Sequence, residues 1–280
     1  MRKKIERVLY VIKGAFMNLY GIYAWFGYLL PLKERFRLIR DAGFDCVMLW
    51  WGDDFYELDG KKTAHPELAR SYGLTVENAH APYQFSNDLW DSGINGTAYE
   101  KLIMGCIEDC AACGIPTLVM HIIDDPFLKI GDAGICRLQR LVEQAERDNV
   151  TLALENVQKP QYLDCIFSRI KSEHLGFCYD SGHEFAISGG FSLLQKYGCL
   201  LKAMHLHDNN GKEDQHLLPG EGKINWTDVA AKIKAAGYKG AICLESCAPW
   251  DEQTGKSSSE PPEAYLKRAI QAVKKICELL

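Results

Sequence analysis

A rhythm in the chain most constrains its fold. Short apolar runs suited to strands lie at residues 17–23, 46–49, 74–79, 117–120, 151–154, 175–179, 202–206 and 241–244, and longer segments with apolar residues at helical spacing separate them. Helices are expected from Pro31 to a stop at Gly43, from the capping-box sequence Thr97-Ala-Tyr-Glu100 to Gly114, and over 135–148, 162–170, 191–197, 226–236 and 263–280. In the last of these, Leu266, Ala269, Ile270, Val273, Cys277 and Leu280 form one stripe. Strands that alternate with helices make a parallel sheet, and eight such units are the number at which the sheet closes on itself. The expectation is an α/β chain with one domain, a (β/α)8 TIM barrel over 17–280, behind an N-terminal extension at 1–16. The rival, a doubly wound open sheet, would bring a glycine-rich phosphate loop after its first strand. Neither G-x-G-x-x-G nor G-x-x-x-x-G-K-[ST] occurs.

A chain of 280 residues matches the length one barrel needs, about 250 residues. Its net charge of −5 and the single short basic run Arg2-Lys3-Lys4 give no bulk support for binding nucleic acid, which is not an expected partner. Eleven cysteines, an odd number, without a signal-peptide pattern point to reduced thiols and a cytoplasmic protein. The stretch from Gly14 to Leu32 carries no charge and could pass for a membrane anchor. Asn18, three tyrosines and Pro31 argue instead for a buried first strand followed by an aromatic loop, so no membrane association is expected. Cys106, Cys110 and Cys113 fall on the apolar face of one helix and read as core rather than as a redox motif. Residues 251–262, with three serines and two prolines, read as a loop before the last helix.

The polar residues gather at equivalent places on this scaffold. His80, His121, Glu155, Asp180, His205 and Glu245 each follow an apolar strand and end it. In a parallel barrel those ends share one rim, where active sites are built. Three carboxylates crowded there would repel one another and resist desolvation unless a counter-ion joined them. Carboxylates with imidazoles suit a divalent cation, Mn²⁺, Zn²⁺, Co²⁺ or Mg²⁺, and ligand type alone does not choose among them; Mn²⁺ is the expected ion. The segment from Asp214 through His216 to Gly222 reads as a tight loop able to close over a ligand.

Taken together, His80-Ala-Pro82, Glu155-Asn156, Asp180-Ser-Gly-His183, His205-Leu-His-Asp208, His216-Leu-Leu-Pro-Gly-Glu-Gly222 followed by Trp226, and Glu245 resemble the sugar phosphate isomerase/epimerase superfamily. These are the xylose isomerase-like barrels, which include endonuclease IV of AP endonuclease family 2. The resemblance runs from about Met17 to Leu280. It implies one cation held by Glu155, Asp180, His205 and Glu245, with His183 at the substrate. Endonuclease IV uses nine zinc-ligand positions, and His80, His121, His183, Asp214 and His216 fill the remaining five here as additional metal or substrate ligands. The ligand set alone therefore leaves sugar chemistry and DNA repair both open. Tyr83-Gln-Phe-Ser-Asn-Asp-Leu-Trp90 looks like a carbohydrate-isomerase relative, and the rim loops Trp50-Trp-Gly-Asp-Asp-Phe-Tyr-Glu57 and Leu89-Trp-Asp91 are aromatic and acidic rather than basic. One departure stands out: the ketose 3-epimerases place a substrate-binding Arg six residues after the strand-seven His, where this chain has Gly211.

The expected activity is metal-dependent isomerisation or epimerisation of a small sugar or sugar-derived polyol in carbohydrate metabolism, by proton transfer next to a carbonyl. Glu155 and Glu245 are the expected acid–base pair, and Trp50, Trp51, Asn156, His183 and His207 are expected at the substrate. The alternatives are a trinuclear-zinc apurinic-site endonuclease and a metal-dependent lyase on glycosides. Pairing into a homo-oligomer is expected by analogy with barrels of this kind.

Overall fold

The structure, a computed structural model, describes residues 19–187, 192–251 and 256–280. The extension at 1–16, together with Met17 and Phe191, lies outside the described residues. In chain order the elements are β1 (Tyr20–Tyr23), α1 (Leu32–Ala42), β2 (Cys46–Trp50), α2 (Tyr56–Asp59), α3 (His65–Ser71), β3 (Thr75–His80), α4 (Ile94–Cys113) and β4 (Thr117–Met120). They continue with α5 (Asp132–Asp148), β5 (Thr151–Glu155), α6 (Gln161–Arg169), β6 (Leu175–Asp180), α7 (Ser181–Ala186), α8 (Leu193–Tyr197), β7 (Leu201–His205), α9 (Trp226–Ala236) and β8 (Ile242–Leu244). A two-stranded hairpin, β9 (Trp250–Asp251) and β10 (Lys256–Ser257), precedes α10 (Pro262–Leu279).

The eight strands pair in the order β7-β6-β5-β4-β3-β2-β1-β8, all in parallel. A parallel bridge between Leu206 and Leu244 brings β7 to β8 and completes the ring. The chain is a (β/α)8 barrel, as its alternating pattern implies. Side chains alternate along each strand. Leu118, Leu152, Leu154 and Phe177 face the helices and join the main apolar core, while Val119, Ala153, Cys178 and Ala203 form a separate buried cluster. The interior is tight where β1 passes between its neighbours. A Cβ on Gly21 would lie 2.8 Å from Cys243 Sγ and 2.9 Å from Cys46 Sγ, so only glycine fits there.

Two local readings change. The capping-box sequence does not start its helix: α4 begins at Ile94 with Gly93 as its extended N-cap, and Thr97 lies inside it. There the Thr97 hydroxyl donates to the Gly93 carbonyl four residues back, at 3.3 Å, which is the usual behaviour of threonine within a helix. The serine-rich stretch after β8 carries the hairpin rather than a plain loop. The uncharged stretch near the N-terminus, where described, is β1 and the loop beyond it. No helix among the described residues is long and apolar enough to cross a membrane. Cys106 and Cys110 are buried in the core as expected, and Cys113 is half-buried.

Candidate metal centre

Six of the eight strands deliver a metal-capable side chain to the C-terminal mouth of the barrel. His80 ends β3, Glu155 ends β5, Asp180 ends β6 and His205 ends β7, while His121 and Glu245 stand one residue beyond β4 and β8. All six are buried. The parallel ladder fixes their spacing, since Asp180 and His205 are Cα partners across β6 and β7. Glu155, Asp180, His205 and Glu245 offer ligand atoms that all lie within 4.8 Å of one another. Four more such groups exist among the described residues, including His80–His121–Glu155 and His207–Asp214–His216, so Glu155 belongs to both inner sets.

Glu155 is the hub. Its Oε2 lies 3.2 Å from His80 Nε2 and 3.1 Å from His205 Nδ1; its Oε1 lies 3.1 Å from His183 Nδ1 and 3.6 Å from His121 Nε2. His205 Nδ1 is also 3.3 Å from Glu245 Oε2. Yet Glu155 Oε1, His183 Nδ1 and both ring nitrogens of His205 are buried without an aligned hydrogen-bond partner. Strong donors and acceptors are left so only at a cost, unless something else satisfies them. A divalent cation fits: it takes lone pairs from oxygen and imidazole together. The outer histidines are prepared in the same sense. The Nδ1 atoms of His80, His121 and His216 face the Ala81 carbonyl (2.7 Å), Asp124 Oδ1 (3.3 Å) and the Glu245 carbonyl (2.7 Å). A proton on each Nδ1 leaves the Nε2 lone pair for the mouth, the usual support of a metal-binding imidazole.

The electrostatics agree. Burial alone would raise the Glu155 and Glu245 carboxyls. The positive His205, joined at Glu155 by His121, outweighs it, holding Glu155 well below the usual carboxylate range and Glu245 at about 2. Burial likewise opposes protonation of the imidazoles, and the carboxylates outweigh that too. His121 and His216 rise to about 9, and His183 and His205 rise well above the ordinary histidine range. The cluster thus demands positive charge, which imidazolium protons or a bound cation can supply.

Not every residue expected at the substrate reaches the mouth of the barrel. Trp50 does: its ring stacks on His80 at 5.7 Å and meets Tyr83 edge-on at 5.4 Å. Trp51, its neighbour, is fully buried on the other face, where Nε1 donates to Asp109 of α4 at 3.1 Å. Alternation along the strand puts the two rings on opposite sides of the barrel wall. Asn156 is committed to the backbone of Asp180, donating to its carbonyl and accepting from its N–H at 2.8 Å each. His183 bridges the inner group to Asp214, with Nε2 3.2 Å from Asp214 Oδ2. His207 is fully enclosed and contacts Asp180 and Asp214.

Some contributors escape the sequence reading. Tyr23 ends β1, and burial, then the Glu245 charge, push its phenol up; the strand-end rule that found the six ligands also applies to it. Tyr83 stacks on His121 at 4.8 Å. Asp124 holds His121 and accepts from Ser86 Oγ at 2.6 Å. Asp208 organises the loop after β7: its carboxylate accepts from the N–H groups of Asn209, Gly220 and Ile224 and from Trp226 Nε1, at 2.8–3.0 Å. No local signal marks that role, because its partners lie up to eighteen residues away.

Comparison with known proteins places this geometry. A family model described as a xylose isomerase-like TIM barrel matches residues 36–279. The chain belongs to that family. Within it, the chain is 28% identical over 276 residues to uncharacterized protein y4fM of Sinorhizobium fredii, covering 85% of this chain and 86% of that one. It is 23% identical over 265 residues to fructoselysine 3-epimerase of Escherichia coli O157:H7, covering 86% and 92%. It is also 30% identical over 167 residues to a protein of Nitrosopumilus maritimus named "Probable endonuclease 4", covering 50% and 59%. Among solved structures, a D-tagatose 3-epimerase-like protein superposes with a TM-score of 0.72 at 24% identity, covering 93% and 98%, a likeness of fold.

Proposed function

We propose that this member of the family is a divalent-cation-dependent isomerase or epimerase of a small sugar or sugar-derived polyol. One observation carries the reading: Glu155, Asp180, His205 and Glu245 converge, buried, within 4.8 Å, and Glu155 Oε1 and both ring nitrogens of His205 find no aligned hydrogen-bond partner in the protein. The fructoselysine 3-epimerase relative and the epimerase-like fold neighbour support it. Bound there, the cation would polarise a substrate carbonyl and acidify the adjoining C–H. Mn²⁺ is the first candidate, then Zn²⁺, Co²⁺ and Mg²⁺. Glu155 and Glu245 approach His205 from β5 and from the end of β8. One takes the proton from carbon and the other returns a proton, to the opposite face for epimerisation or to the neighbouring carbon for isomerisation. Asp180 and His205 complete the ligand set, His183 orients a substrate hydroxyl, and Trp50 with Tyr83 forms an apolar wall.

The test is proton exchange. Protein stripped with a chelator and reloaded with each metal is incubated in D2O with a panel of ketoses and keto-polyols. Deuterium should enter next to the carbonyl with the reloaded protein, and Glu245→Gln should abolish its entry. Full exchange by Glu245→Gln, with unchanged metal content, would end the scheme.

A second reading has its own observation. Three of the ligand groups among the described residues, Glu155–Asp180–His205–Glu245, His80–His121–Glu155 and His207–Asp214–His216, could hold three ions, as an apurinic-site endonuclease requires. Against it, the carboxylates of the site pair only with imidazoles, and no Lys or Arg reaches them among the described residues. Grip on a phosphate backbone depends on such cations. Three zinc ions per chain together with nicking of abasic duplex would reverse the order.

A further inference from the structure

Three consecutive residues close on His207, Ser181 on its backbone and Gly182 and His183 on its ring. Ser181 Oγ donates to the His207 carbonyl at 2.7 Å and stands 3.0 Å from its N–H. Gly182 leaves the space the ring occupies: a Cβ there would lie 1.9 Å from His207 Cε1. The ring of His183 meets it edge-on at 6.0 Å, and His216 stacks flat on it at 4.0 Å. Enclosed in this way, His207 Nε2 lies 3.1 Å from Asp180 Oδ2. The other oxygen of Asp180 accepts the backbone N–H of His183 at 2.6 Å. Both oxygens of this carboxylate are therefore held, one of them by His207.

We propose that His207 is a positioning residue, whose Nε2–H fixes the Asp180 carboxylate in the orientation the cation group needs, and that Asp180-Ser-Gly-His183 is built to seat its ring. The inference rests on the cation reading above. A carboxylate oxygen only accepts, so a proton sits on the Nε2 that faces it. No substrate reaches a ring with no exposed surface, so the residue acts through Asp180. Removing a partner that orients a metal ligand typically weakens the metal about 10–100-fold.

The experiment is calorimetric titration of the metal-free full chain with Mn²⁺ and with Zn²⁺, beside thermal melts. His207→Asn keeps a polar side chain but is too short to reach Asp180 from the Nε2 position, and should weaken the tightest site about 10–100-fold. His207→Gln reaches that position and should recover most of the affinity. Gly182→Ala leaves His207 in the sequence but displaces its ring, and should reproduce the loss. A purely structural role would lower the melting temperature and leave the affinity of the folded variants unchanged, which overturns the proposal. So does the loss of one bound ion at unchanged affinity for the rest, which would make His207 a ligand of its own cation with Asp214 and His216. A wild-type protein that binds no divalent cation ends the cation reading as well; an unchanged affinity in His207→Asn ends this proposal alone.

Discussion

The inner donors Glu155, Asp180, His205 and Glu245 and the outer donors Asp214 and His216 face one mouth but are held in different ways. The inner four sit at strand ends, so the ladder of the whole barrel sets their backbone positions. The outer two ride on an excursion from the end of β7, closed by the Asp208–Leu217 pair. That loop depends on one buried carboxylate, Asp208, and on local side-chain bonds such as Asn210 Oδ1 accepting from Lys212 and Glu213. His216 even takes a left-handed backbone, φ 48°, which only its surroundings hold in place. The difference teaches that strand-borne ligands inherit the rigidity of the fold, whereas loop-borne ones need a dedicated organiser.

The largest expected effect falls on the inner set. Glu155→Gln should cut cation-dependent proton exchange about 10²–10⁴-fold and weaken metal binding in calorimetry; comparable loss from Asp214→Asn would erase the distinction. Next, Asp208→Asn puts an amide donor against four N–H donors, and should destabilise the protein by about 1–3 kcal/mol in denaturant melts. Limited proteolysis should then cut within 209–222 while the tightest cation still binds; a loop that stays resistant would break the comparison. The same contrast recurs on a smaller scale in the two adjacent tryptophans. Trp50→Ala should raise KM roughly fivefold, the value of about 1 kcal/mol of lost ring contact, with kcat less affected. Trp51→Phe should leave steady-state kinetics unchanged and cost about 1 kcal/mol of stability through the lost bond to Asp109. A kinetic effect from Trp51→Phe instead would mean that the wall between mouth and core is misplaced.

The strand ends were legible because two local rules sufficed. A period of two marks a strand, and in a parallel barrel the residue that closes an apolar run points to the rim. Those rules reach His80, His121, Glu155, Asp180, His205 and Glu245 without any knowledge of neighbours. They fail where a side chain's partner is remote. Asn156 is spent on the backbone of Asp180 twenty-four residues away, and His207 on a pocket made by Gly182. Thr97 carried a cap signature, but the backbone at Gly93 had already begun the helix.

From the sequence alone came the alternation of strand and helix, the count of eight and the chemical type at each rim position, since all three depend on residues close in the chain. The tertiary structure decided which of Trp50 and Trp51 faces the mouth, and it did so through register. A shift at Val47/Met48 sets Trp50 opposite His80, and pairing across strands is invisible in either strand by itself. It also decided that His207 lies behind Asp180 rather than in front of it, because enclosure is a property of everything packed around a ring, contributed by β6, α7 and the loop after β7 together.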